Sequence, residues 1–593
     1  MLCSKGHPAG GKKIGALSMS SHEFVRDKSV SISRGLPLSE EMDLGALTLG
    51  GFIREVTARF SHREALVEHR AGGGAERWSY RDLWERSLDV AKALCACGLA
   101  KGERVGILMT NRVEFLPTIF GTALAGGIAV PLSTFSTAHE LESLLASSAC
   151  SVLLLERQVL KKDFVDILCD LDPAVARAAP GEIASLKFPF LKYVAASGGD
   201  GPMGAPKGAI ESWSGFLARG AKVPVAQIDA RADAVHPSDP GVLFFSSGST
   251  AKPKGILSAH RGVCIQLWRL RHQEALGDGV RSWTANGFFW SGNFAMVLGP
   301  TLAAGGTLVL QRTFQPEEAL ELMQDEKVSF LFAWPHQWAQ LVGAANWQSV
   351  DLSSLKYMDA DSPIAGHPTV NTTWLEPRHC YGNTETFTLS TTYPANTSRD
   401  TAHNSHGRPL PGNSVKIVDP LTGVVVPIGA RGEIALKGAT LMLGYVGVPL
   451  DETLDEDGYF RTGDGGYMDE DGRLYWEGRL NDIIKTGGAN VSPIEIDGII
   501  KDCPGVKVAQ TVGVPHDTLG ELVVTCIVPH EGARLDEETV RSFAKQKLAS
   551  YKVPRRVLFF TESDLQLTGT NKVKTAELRK LAAETLDAET SGS

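Results

Sequence analysis

The sequence predicts an α/β protein: layered, largely parallel sheets over most of its length, then a small β segment, then a shorter α+β region at the C-terminal end. Three observations carry this. Short buried-strand candidates alternate with amphipathic helical stretches, which is the pattern of α/β layers. From about Asn404 the texture changes to short strands punctuated by glycine and Asp-Gly, as in hairpins. After Arg479 to Asp482 a mixed pattern of roughly a hundred residues returns, and a domain boundary is expected there.

The first 35 residues are polar and rich in Gly, Ser and Lys, the composition of a poorly ordered extension. Beyond them lie the strand candidates RVGILM (Arg104 to Met109), ACSVLLLE (Ala149 to Glu156), GVLFFSS (Gly241 to Ser247) and GGTLVLQ (Gly305 to Gln311). Between them, SYRDLWERSLDVAKALCACG reads as an amphipathic helix opened by the capping pattern Ser79 to Asp82. The most apolar run, Val113 to Leu132, approaches the ~20 residues of a membrane span, but Glu114, Pro117, Gly126, Gly127 and Pro131 interrupt it. It reads as a packed helix, a glycine turn and a short strand. The later strings GRPLPGNSVKIVD, GEIALKG and GYFRTGDGGYMDEDGRLYWEGR supply the hairpins of the β subdomain.

A chain of 593 residues exceeds what one hydrophobic core sustains, so at least two domains are expected. Hydrophobic residues at 43% and charged residues at 21% argue against wholesale disorder. The net charge of -9 gives no general attraction for nucleic acid or an anionic membrane, so an anionic ligand must be held by local features. Nine scattered cysteines without a CxxC pair fit a reducing, cytoplasmic setting and assign neither a disulfide nor a metal. The N-terminus lacks the apolar core of a secretory signal, and the terminal SGS is no peroxisomal tripeptide.

The strongest local signal is SSGSTAKPKG, Ser246 to Gly255, directly after the buried strand GVLFF. Ser246, Ser247, Ser249 and Thr250 offer hydroxyls, Gly248 and Gly255 let backbone amides approach, and Lys252 and Lys254 offer positive charge. Such a loop suits a polyphosphate. It is not a Walker A loop, because the glycine spacing and the Gly-Lys-Ser/Thr ending are absent. By itself a Ser/Gly-rich loop is more often a flexible turn. The strings downstream of it, and their order, decide the matter: YGNTET from Tyr381, GYFRTGD ending at Asp464, EGRLNDIIKTGGANVSPIEID from Glu477 to Asp497, and LTGTNKVKTAELR from Leu567 to Arg579.

In this order the strings resemble those of the adenylate-forming superfamily, which includes acyl-CoA synthetases, peptide-synthetase adenylation domains and firefly luciferase; the acyl-CoA synthetases are the best match. Weaker matches at Trp78, Asn111, Ala125, Gly407 and Gly432 extend the likeness over most of the chain. The resemblance implies a large N-terminal domain (36–480) and a small mobile C-terminal domain (481–593), with residues 1–35 as an extension. It also implies ATP-dependent activation of a carboxylic acid to an acyl-adenylate, then transfer to coenzyme A.

The implied roles fall on named positions. Ser246, Ser247, Gly248, Ser249, Thr250 and Lys254 would hold the β- and γ-phosphates of ATP, with Ser362 on the adenine and acyl floor. Tyr381 would lie against adenine within Tyr381, Gly382 and Asn383; Thr384 would reach phosphate, and Glu385 would bind Mg²⁺ directly or through water. Asp464 would accept from the ribose hydroxyls and Arg479 would be a second nucleotide contact. Lys572 would bridge the acid and the α-phosphate, where its ammonium stabilises the growing charge. Asn571 stands where the family has glycine, and Lys574 lies close by. Asn481 occupies the hinge position, and Lys485, Gly487 and Gly488 would border the coenzyme A arm.

The acid is less legible. Amino-acid-activating relatives carry an Asp near the aromatic motif, but NGFFWSGNF offers no carboxylate, so an amino acid is disfavoured. Phe289 and Trp290, with Trp334 in FLFAWPHQW, are expected to line the acyl pocket of a fatty, alicyclic or aromatic acid. Two alternatives stay open: an acyl-adenylate ligase that loads a carrier protein, and a non-catalytic relative that only binds nucleotide or acyl-adenylate. A homodimer is compatible with the sequence.

Overall fold

Alternating burial explains why the apolar runs of the N-terminal half become strands covered on both faces. In the computed structural model, which describes residues 29–70, 73–198, 207–246, 253–377, 379–480, 482, 484–486, 489–516, 519–548, 552–564 and 575–591, Val105 and Ile107 of the strand Arg104–Leu108 face one helical layer and Leu108 the opposite one. The neighbouring strand Val152–Glu156 repeats this, with Val152 and Leu154 on one side and Leu153 and Leu155 on the other. This is the two-residue pleat of a doubly covered sheet. Helices Tyr80–Ala96 and Phe115–Leu124 form the first layer; Ala138–Ser148 and Phe164–Leu171 form the second.

Among the described residues this sheet has eight strands, in the order Ile210–Ser212, Tyr193–Ser197, Val152–Glu156, Arg104–Leu108, Ile128–Pro131, Pro240–Ser246, Lys254–Ala259 and Gly444–Tyr445. All pairings are parallel until Pro240–Ser246, which turns back antiparallel onto Lys254–Ala259. A five-stranded sheet, ordered Phe330–Phe332, Arg281–Thr284, Thr307–Leu310, Glu64–His69 and Ala75–Ser79, is parallel except at its last pair. The run Val113 to Leu132 resolves as expected into helix Phe115–Leu124, a turn with Gly126 at φ +80°, and strand Ile128–Pro131. Among the described residues no helix is long and apolar enough to cross a membrane. The capping box of Tyr80–Ala96 forms between Ser79 and Asp82 as read from the sequence.

The β subdomain is an antiparallel sheet of Ile32–Arg34, Asn413–Val418, Gly432–Gly438, Phe460–Met468 and Leu474–Arg479. Its first strand corrects the expected boundary at residue 35: ordered structure begins before it. Ser33 pairs with Val415, Ser31 N–H donates to Val426 O (2.9 Å), and the Ser31 hydroxyl donates to Pro427 O (2.8 Å). This strand is held by main-chain and hydroxyl hydrogen bonds rather than by apolar burial, so it carries no hydrophobic signature.

After Arg479 the chain enters a separate sheet of Ile484–Thr486, Ala489–Val491, Val506–His516, Gly520–Pro529 and Arg556–Phe559. Val523 and Ile527 face helices Pro493–Lys501 and Glu537–Lys545; Val524 and Cys526 face Thr575–Ser591. Asp497, on the first of these helices, turns its carboxyl toward Thr511, and Oδ1 is sealed from water without a hydrogen-bond partner. Burial pushes its pKa up to about 7 against the opposing hydrogen bonds from Thr511.

The folded state therefore keeps a proton that an unfolded aspartate loses near pH 4. This contribution is full below that pH and is lost as pH rises through about 7. Asp497→Asn is expected to match the parent's melting temperature at pH 4 and exceed it at pH 8, by up to ~4 kcal/mol of domain stability. Thermal unfolding at both pH values checks this; a difference independent of pH contradicts it.

Candidate active site

The phosphate-loop candidate is the connection of a hairpin. Ser246 ends its strand directly opposite Lys254, so the ladder closes both ends of the loop. Ser247, Gly248, Ser249 and Thr250 lie outside the described residues. The Lys254 ammonium stands 5.0 Å over the ring of Tyr445, whose own strand pairs alongside Lys254–Ala259. The Tyr445 hydroxyl donates to Glu385 Oε1 at 2.7 Å. Burial, then the Glu385 charge, pushes the Tyr445 hydroxyl well above its ordinary pKa and keeps it a donor. Tyr445 thus ties the loop base to YGNTET, and only the Gly-Tyr pair after the apolar run LML marks it in the sequence.

The segment from Tyr381 to Thr391 is a tight reversal. Tyr381 N–H donates to Thr391 O (3.0 Å), and Asn383 caps the short turn Thr384–Thr386 by accepting from Thr386 N–H. A Cβ at Gly382 would stand 1.6 Å from Thr388 O, so only glycine fits the closure. Phe387 and Thr388 take left-handed backbone at φ 47° and 82°. Behind the reversal, the buried Gln266 amide of helix His260–Gln273 donates to Phe387 O (3.0 Å) and Leu389 O (2.7 Å). Thr384 Oγ1 is 3.3 Å from the Ser291 hydroxyl, so the reversal meets the aromatic segment FFWSGN.

Asp464 lies opposite Arg479 in the β subdomain and is 4% exposed. Its Oδ2 accepts from the Tyr381 hydroxyl at 2.7 Å. Arg479 Nε stands 3.1 Å from Oδ1, close enough for an ion pair, yet Oδ1 has no hydrogen-bond donor among the described residues. Burial raises the Asp464 pKa, and Arg479 and Tyr381 pull it back. One carboxylate oxygen is anchored and the other keeps accepting capacity, which suits a vicinal diol. Tyr381 is 5% exposed and packs among Val415, Ile434 and Met468, so its orientation is fixed before any ligand arrives.

The aromatic residues sit on a polar frame. Asn111 donates to Asn286 O (2.8 Å) and accepts from Phe288 N–H (2.8 Å); Gln337 donates to Asn286 Oδ1 (3.1 Å) and accepts from Trp334 N–H (2.8 Å). Phe288 is swallowed by the core, but Phe289 reaches Trp290 with ring centroids 5.4 Å apart. Trp290 is half-buried and Trp334 is 49% exposed beside Phe332.

Ser362 is buried, at the start of the turn Pro363–Gly366, and its hydroxyl has no partner among the described residues. Lys485 is exposed on the first strand of the C-terminal sheet. Lys572, Asn481, Gly487 and Gly488 lie outside the described residues. Hairpin base, reversal, Asp464 and the aromatic segment are joined by direct contacts; of the residues that hold them, Gln266 stands in no motif, while Asn111 and Gln337 stand in strings that give no sign of what they hold.

The chain is 29% identical to a feruloyl-CoA synthase of Amycolatopsis sp over 88% of its length and 97% of the relative's. It is 28% identical to the human mitochondrial medium-chain acyl-CoA ligase ACSF2, over 91% and 88%. It superposes on ATP-bound MatB from Rhodopseudomonas palustris with a TM-score of 0.71 at 25% identity, covering 90% of this chain and 99% of that one. Residues 53–446 match the model of the AMP-binding enzymes and residues 495–572 that of the AMP-binding enzyme C-terminal domain, and the chain belongs to this family.

Proposed function

We propose that this protein is an AMP-forming acid–thiol ligase that activates a carboxylic acid with ATP and transfers the acyl group to coenzyme A. The observation that carries the reading is the pre-organised Tyr381–Asp464–Arg479 cluster joined to the hairpin loop through Glu385, Tyr445 and Lys254. The family match and acyl-CoA-forming relatives over most of the chain support it. In the first step a carboxylate oxygen of the acid bonds to the α-phosphorus as the bond to pyrophosphate breaks. In the second the thiol attacks the acyl carbon and AMP leaves.

Asp464 Oδ1 accepts from the ribose hydroxyls, Tyr381 and Ser362 border the adenine, and the loop from Ser246 to Lys254 takes the phosphates. Fixed donors and charges lower the barrier because they need no reorganisation as charge moves. Glu385 Oε2 has no protein partner among the described residues, and no cluster of three metal-ligating side chains is found among them. A lone carboxylate suits Mg²⁺, which takes most of its ligands from phosphate and water; bound there it would neutralise phosphate charge. Lys572 bridges acid and α-phosphate. Lys485, Gly487 and Gly488 border the coenzyme A arm after rotation about Asn481. Phe289, Trp290 and Trp334 line a pocket for a fatty, alicyclic or aromatic acid. A cytoplasmic setting goes with this reading.

A panel of such acids, assayed for ATP-dependent AMP formation with coenzyme A, tests the proposal: at least one acid is expected to give AMP and thioester in equal amounts. If no acid does, the reading fails. Lys572→Ala is expected to abolish pyrophosphate release while purified acyl-adenylate is still converted to thioester. Near-normal pyrophosphate release in that variant removes Lys572 from the chemistry.

Asp464→Ala would also orphan the Tyr381 hydroxyl, so Asp464→Asn, which keeps an acceptor for it, is the cleaner variant. Loss of the charge is expected to raise the KM for ATP by about tenfold, equivalent to ~1.4 kcal/mol, with the melting temperature held. An unchanged KM for ATP takes the ribose away from Asp464.

A further inference from the structure

The connection 132–137, between strand Ile128–Pro131 and helix Ala138–Ser148, is tightly built: Thr134 and Ser136 are buried, while Phe135 and Thr137 are exposed. The Lys162 ammonium donates to three successive carbonyls, of Thr134 (3.2 Å), Phe135 (2.8 Å) and Ser136 (2.9 Å). Three donors meet three acceptors, so its hydrogen-bonding capacity is filled. Phe135 N–H donates to the Ser133 hydroxyl (3.2 Å), and Ser136 N–H closes the turn onto Ser133 O (3.2 Å). Thr137 then enters the capping box of the next helix with Glu140. Partial burial draws the Lys162 ammonium below its ordinary pKa, with Glu140 opposing.

This anchored turn holds out one apolar side chain. Phe135 is 60% exposed, and its ring stands edge-on to Phe289, with centroids 5.7 Å apart and planes at 78°. Phe289 adjoins Trp290, and the next residue, Ser291, contacts Thr384 beside Glu385. A continuous path therefore runs from the reacting centre to Phe135. The ring already meets Phe289 edge-on, and an acyl group lying along this path would cover its open side. We infer that Phe135 is the outer wall of the acid pocket, forming with Phe289 an aromatic corner against the acyl group, and that Lys162 is a positioning residue that holds this wall by fixing its turn. The inference rests on the ligase reading above and adds a specificity element from a separate part of the chain.

The test compares kcat/KM for a compact and a bulky acid in the full-length protein and its Phe135→Ala, Lys162→Met and Lys162→Arg variants, with KM for ATP and melting temperature measured alongside. Phe135→Ala is expected to shift the ratio about tenfold toward the bulky acid, the size of one lost apolar contact, leaving KM for ATP unchanged. Lys162→Met is expected to shift it the same way by a smaller factor, and Lys162→Arg to restore part of the ratio. A Phe135→Ala enzyme with the parent ratio overturns the inference while leaving the ligase reading intact. A Lys162→Met enzyme that loses activity on both acids alike, unrescued by Lys162→Arg, removes the positioning role. A parent enzyme that forms AMP with no acid overturns the ligase reading and the inference with it.

Discussion

A buried carboxylate must be paired or it does not stay ionised, and Asp464 imposes that demand on the whole site. Its partners come from different segments: Tyr381 from the reversal and Arg479 from the next strand of its own hairpin. For the Tyr381 hydroxyl to reach Oδ2, the reversal must close on itself, which requires Gly382 beneath Thr388 O and left-handed backbone at Phe387 and Thr388. Those strained residues are tolerated because Gln266 grips the carbonyls of Phe387 and Leu389. The same closure sets Glu385 beside Tyr445 and, through it, the hairpin loop. One electrostatic requirement thus orders residues drawn from the layered sheets and from the β subdomain.

Most of the layered fold was legible because burial on both faces leaves a plain signature: the runs around Val105, Leu153, Phe244 and Leu308 are almost wholly apolar and become central strands. The β subdomain was legible through its turn residues, which mark where antiparallel strands reverse. Strand Ile32–Arg34 was not, since an edge strand held by hydrogen bonds needs no apolar pattern. In the site, residues that would touch ligand stood in recognisable strings; Gln266 and Tyr445 did not, and the strings around Asn111 and Gln337 gave no sign of what those two hold. Their work is to satisfy main-chain or carboxylate groups across the fold, and such pairings depend on tertiary proximity that spacing along the chain does not encode.

The site also divides its labour between architectures. Charge handling is assigned to hairpins and the reversal, where main-chain ladders fix polar groups within hydrogen-bond tolerance. On the proposed reading, shape falls to aromatic rings carried on connections of the five-stranded sheet, Phe289 and Trp290 after Arg281–Thr284 and Trp334 after Phe330–Phe332. The two parts meet where the Ser291 and Thr384 hydroxyls lie 3.3 Å apart, a neutral contact worth about 1 kcal/mol. Phe294, which ends the same aromatic string, also stands edge-on to Phe387 of the reversal with ring centroids 6.2 Å apart, so that ring is coupled to the charge-handling part. Phe289, Trp290 and Trp334 make their ring contacts with one another, Phe135 and Phe332 instead, so on the proposed reading a change in their size leaves the Asp464 and Glu385 clusters in place.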